Sequence, residues 1–116
     1  MRKSALAILE AAYGPDHPNV ARALTNLGLV LGDLAELDGA RTLLERSLGI
    51  VERRYGANHP VVARTLLDLG IVLHGLGKPA AAREVIERAL EIFVRKLGED
   101  HPDTRAARRA LDALAD

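Results

Sequence analysis

Three histidines recur at one interval: His17, His59 and His101 stand 42 residues apart, each followed by a proline and each three residues after a glycine. Imidazole is the commonest protein ligand for transition metals, so a regular row of it raises a metal site as one reading. The other reading is local. A residue just before a helix-opening proline is placed to cap the first turn or to anchor the loop. Spacing separates the two, because equivalent helices of successive units stand roughly 10 Å or more apart. Three rings so spaced cannot all come within the roughly 2.1 Å that zinc requires. The local role is therefore the expectation, with no metal and no other cofactor.

The other residue types that carry chemistry do not assemble into an active site. Cys is absent, which removes disulfides, thiolate nucleophiles and cysteine zinc sites together. The chain contains no Gly-x-x-x-x-Gly-Lys phosphate loop, no His-Glu-x-x-His helix and no Gly-x-Ser-x-Gly elbow. Ser4 and Ser47 fall within helical stretches, Ser47 where the next unit has alanine, and read as small packing residues. Glu45-Arg46 and Glu87-Arg88 alternate in sign as a solvated helix face does. Without a nucleophile, base and oxyanion donor to bring together, the expectation is a protein that is not an enzyme.

Charge and hydropathy narrow the partners. Sixteen basic and sixteen acidic residues give a net charge of zero, so no overall field draws the chain to nucleic acid or an anionic membrane. Arg105, Arg108 and Arg109 are the only basis for a nucleic-acid reading. No apolar run approaches the roughly 18 residues of a membrane span. Met1-Arg2-Lys3 leads into an amphipathic pattern rather than a signal peptide, and a cytoplasmic location is expected.

The elements that position these residues follow from the same period. A fixed interval of this size marks stacked units that bury their apolar faces against neighbours. Aligning residues 13–54 with 55–96 gives 20 identities in 42 positions, mostly on apolar sites, glycines and the loop. Val20, Ala21, Leu24, Leu27, Leu31 and Leu34 form a helical stripe, repeated as Val62, Ala63, Leu66, Leu69, Leu73 and Leu76. Gly14, Gly56 and Gly98 end one helix, and Pro18, Pro60 and Pro102 begin the next. The turns at Ala35–Asp38 and Gly77–Pro79 are short enough to force antiparallel pairs, with second helices from about Gly39 and Pro79. Gly28 and Gly70 lie inside helices, where glycine costs about 1 kcal/mol relative to alanine, so a partner helix is expected to approach closely there. The reading is an all-α solenoid of antiparallel helix pairs in one domain over residues 1–116, with about six helices. It divides into a half repeat at 1–13, repeats at 14–55 and 56–97, and a C-terminal capping helix at 98–116. In that helix Arg108 and Asp112 replace Leu24 and Gly28 as an i, i+4 pair, while Ala107, Ala110, Leu111 and Leu114 keep an apolar face.

The unit Leu-x-x-Leu-Gly, with Ala after the turn and Ser-Leu or Ala-Leu near the end of the second helix, resembles the tetratricopeptide repeat. Leu24, Leu27, Gly28, Leu31, Ala40, Leu44, Ser47 and Leu48 fall on its pattern, as do Leu66, Leu69, Gly70, Leu73, Gly77, Ala82, Ile86, Ala89 and Leu90. The longer unit and its Gly-x-x-His-Pro loop look like the 42-residue variant of kinesin light chains and of arrays attached to bacterial signalling ATPases, of which this chain would be a piece. The resemblance implies a right-handed superhelix whose concave groove binds an extended peptide or partner protein. Carried over by position, the groove residues are Arg22, Thr25, Asn26, Leu29 and Asp33, then Arg64, Leu67, Asp68 and Ile71. The mixed row of Arg22, Arg64, Asp33 and Asp68 suits a charged peptide or is simply a solvated face. Asp68, facing the groove, is expected to be indifferent for stability. The alternative function is self-association: Leu6, Ile8 and Leu9 in the first helix lack full cover and would pair two copies as a homodimer.

Overall fold

The computed structural model describes residues 5–14 and 17–115. Each unit within it opens by the same local device. His17 and His59 hold extended backbone ahead of the proline, and the Nδ1 atoms of His17, His59 and His101 accept hydrogen bonds from the amides of Asn19, Val61 and Asp103 at 3.0, 3.1 and 3.0 Å. An imidazole thus does what Ser or Asp does at other helix starts: it satisfies an amide that has no carbonyl within the helix. Gly14, Gly56 and Gly98 close the preceding helices at φ 89°, a backbone region that L side chains rarely enter. Tyr13 stacks on His17 and Tyr55 on His59, with ring centroids 4.6 and 4.7 Å apart. In the third loop Leu97 replaces the tyrosine, and Thr104 Oγ1 donates to the Gly98 carbonyl at 2.7 Å.

Among the described residues these devices delimit six helices: α1 (Ala5–Tyr13), α2 (Pro18–Asp33), α3 (Leu37–Tyr55), α4 (Pro60–Gly75), α5 (Pro79–Leu97) and α6 (Pro102–Ala115). No strand occurs among them. The α2–α3 and α4–α5 pairs are the closest packed, α3 lies on α4, and α6 lies on α5, so the chain is an all-α solenoid of antiparallel pairs. The α3 helix begins at Leu37, two residues before the expected Gly39, because Leu37 docks over Gly75, where a Cβ would stand 3.1 Å from Leu37 Cδ1. Ala35 takes a left-handed φ of 63° in the short turn before it, and its counterpart Gly77 takes 75°.

The core has two lobes. Near the His-Pro loops, Val20, Leu24, Ile50, Val62, Leu66, Ile86, Phe93 and Ala107 pack into one lobe that runs from α2 to α6. Near the short turns, Ala40, Leu44, Leu69, Val72, Leu73 and Ala82 form the other. Both internal glycines face partner helices. A Cβ at Gly70 would overlap Cγ1 of Ile86 and stand 2.8 Å from its Cδ1, and one at Gly28 would stand 3.2 Å from Cγ of Leu44. Successive second helices are tied by a repeated ion pair, Glu10 with Arg46 and Glu52 with Arg88, offset by the same period. On α6, Thr104 and Ala107 are fully buried and Arg105, Arg108, Arg109 and Asp112 are exposed. Arg108 pairs with Glu99 of the preceding loop rather than with Asp112, the partner suggested by helical spacing.

Candidate functional site

Because α3 packs against both α2 and α4, those two first helices meet only over a short stretch and leave a cleft floored by α3. Its volume is about 430 Å³. Pro18, Ala21, Arg22, Thr25, Asn26 and Leu29 of α2 form one wall, Val61, Arg64, Thr65 and Asp68 of α4 the other, and Ser47, Val51 and Tyr55 the floor. Past Leu29 and Asp68 a cleft of about 150 Å³ continues to Gly32, Asp33, Leu37 and Ile71. From Ile71 a third, of about 170 Å³, reaches His74, Ile86 and the α6 residues Ala110, Ala113 and Leu114. Shared lining residues make these one path across α2, α4 and α6.

Arg22, Thr25, Asn26, Leu29, Arg64 and Asp68 line the large cleft, and Asp33 and Ile71 line its continuation. Leu67 does not face it. At 8% exposure it joins the core lobe with Leu66 and Ala107, one step round the helix from Asp68, as its apolar side chain favours. The α3 floor escaped the positional carry-over, which counted first helices only. Ser47 read as a packing residue, and it is fully buried, but its hydroxyl also bonds the Ala21 carbonyl at 3.0 Å and Thr25 Oγ1 at 2.7 Å. Those bonds join the floor to one wall. The serine in place of Ala89 one unit later was the available signal.

Most polar groups in the cleft have partners. Arg22 Nη2 donates to Asn19 Oδ1 at 3.0 Å, and Arg64 Nη2 pairs with Asp103 Oδ2 at 2.9 Å. Asp68 makes no hydrogen bond or ion pair with any described residue. Burial pushes its carboxyl from the ordinary 3.8 up to about 6, and the Arg64 charge opposes the rise. Sharing Arg64 with Asp103 weakens that opposition.

Elsewhere, no group of three or more His, Asp or Glu among the described residues is placed to hold a metal ion. No helix among them is long and apolar enough to cross a membrane. One other surface stands out, the outer face of α2. Leu27 is 42% exposed and Val30 is 52% exposed, whereas their counterparts Leu69 and Val72 are each 5% exposed under Ala40 and Leu44 of α3. No described helix covers the α2 positions in that way, and Ile8 of α1 is exposed beside a partly buried Leu9. The side chain of Leu6 lies outside the described residues.

A family model described as tetratricopeptide repeat matches residues 1–50 and again 26–93. Among curated proteins none matches the chain.

Proposed function

The chain belongs to the tetratricopeptide repeat family, whose repeats generally mediate protein–protein interaction, and on that premise we propose that the path between α2 and α4 is a groove for an extended peptide or peptide-like segment of a partner protein. The observation that carries this reading is the large cleft, whose walls hold six of the nine positions at which the family resemblance places peptide contacts. Its chemistry suits a peptide. Leu29 and Val61 offer apolar contact, Asn26 offers an amide for a backbone bond, and Arg22 and Asp68 offer charges of both signs. On this reading the protein is a non-catalytic, cytoplasmic binding part of a longer array of the kinesin-light-chain type, working as a scaffold or sensor.

Fluorescence anisotropy with a library of labelled peptides tests it. Binders should lose affinity in Asn26→Trp, which fills the cleft from an exposed position, with the melting temperature unchanged. Binding that ignores this substitution places the site elsewhere.

A second reading rests on the bare face of α2 and on Ile8. Side chains that the next unit buries are here open to water, and the economical cover is the same patch of a second copy across a two-fold axis. The unaltered chain should then sediment as a concentration-dependent dimer, and Ile8→Glu with Val30→Glu should return it to a folded monomer. A monomer at high concentration rejects the dimer.

A further inference from the structure

Along the groove two carboxylates make no hydrogen bond or ion pair with a described residue, the exposed Asp33 and the partly buried Asp68. Arg22 is held by Asn19 and Arg64 by Asp103, while Asp68 sits unpaired at the junction of the two connected clefts. A carboxylate drawn out of water without a partner is unfavourable in the empty protein. Packing does not demand it, since the counterpart 42 residues earlier is the neutral Asn26 on the facing wall. A group that is unfavourable where it stands, yet open to a cleft, is a candidate for ligand contact.

Resting on the groove reading above, we propose that Asp68 anchors a lysine or arginine side chain of an extended peptide laid between α2 and α4. Two exposed apolar side chains flank the carboxylate, Leu29 across the cleft and Ile71 about one turn further along α4, and both are suited to the aliphatic stem of such a residue. The cationic head then meets an acceptor whose water has already been partly removed, so the pair gains more than it would on an open surface. The charged and titratable groups around Asp68 include one other unpaired carboxylate, Asp33, which stands exposed to water where Asp68 is drawn in. They are Arg22 and Asp33 on α2, Tyr55 on α3, Arg64 on α4, and Asp103 on α6, which neutralises Arg64. The α5 helix lines neither cleft. Because burial lifts the Asp68 carboxyl to about 6, acidification from neutral pH protonates it and removes the anchor.

The test uses labelled, end-blocked heptapeptides of alanine and leucine whose central residue is Lys, Arg, norleucine or Glu. At pH 7.5 the Lys and Arg peptides should bind the whole protein at least about tenfold more tightly than the norleucine peptide. That preference should vanish in Asp68→Asn and, in the unaltered protein, at pH 5. Equal affinity for Lys and norleucine, or a preference for Glu, in a groove that Asn26→Trp still blocks overturns the cationic anchor and leaves the peptide groove standing. A failure of Asn26→Trp to weaken any of the four peptides, or no binding by any of them, removes both.

Discussion

At Asp68 the pH dependence of folding should be visible in one residue. The unfolded chain titrates this carboxyl near its ordinary 3.8 and the folded chain near 6, so the folded state holds the proton more tightly. Its contribution to stability is therefore full below the lower value and is lost as pH rises through the upper one. Asp68→Asn, neutral at every pH, should match the parent at about pH 3 and exceed it by about 1 to 3 kcal/mol at pH 7.5. Urea melts at the two values read this directly, and an equal gap at both would mean that the carboxylate is not desolvated. The sequence placed Asp68 on the groove but gave no sign of this, because desolvation depends on how closely α2 approaches α4. Desolvation of this carboxyl argues against indifference to stability, and the melts decide between the two. The glycines make the opposite case, since their meaning was readable once each was seen to be a costly residue inside a helix. Gly70→Ala should destabilise by about 1 to 3 kcal/mol, because Ile86 is fully enclosed and cannot yield. Gly32→Ala, with nothing within 4 Å of the added carbon, should stabilise by about 0.5 to 1 kcal/mol. Thermal melts of the two variants that move in the same direction would contradict the packing described here.

The helix starts depend on the His-Pro loops. Each imidazole accepts from the amide two residues on, and in the first two loops a tyrosine stacks on the same ring. His59→Ala removes the acceptor and the stacking partner together and should destabilise by about 1 kcal/mol or somewhat more, while His59→Asn keeps an acceptor and should lose less. Chemical denaturation that finds the alanine variant as stable as the parent would show that the caps are ornamental. Element boundaries were largely legible in advance because glycine stop and proline start are local signals. The early start of α3 was not, since it follows from Leu37 meeting Gly75, 38 residues away in sequence. Nor was the Glu52–Arg88 pair. Its two side chains come to 3.1 Å across 36 residues of sequence, a meeting that only the folded stack brings about.

For the whole molecule, repetition made the all-α stack readable and also limited what could be read about the site. Residues that repeat are those that hold one unit to the next. The groove mixes repeated residues such as Arg22 and Arg64 with residues that do not repeat: Thr25, Asn26 and Ser47 stand where the next unit has Leu67, Asp68 and Ala89. Carry-over by position named eight residues that line the path and one, Leu67, that is buried as its own side chain favours. The central claim is that this face takes up extended peptide. It is tested most directly by mapping amide chemical shifts of the labelled protein during titration with a peptide that it binds. The account predicts shifts concentrated on residues 18–33 of α2, 60–75 of α4 and the α3 floor at Ser47, Val51 and Tyr55, with those of Glu84, Glu87 and Arg95 on α5 unmoved. Shifts concentrated on α5, with the α2–α4 cleft silent, would contradict it.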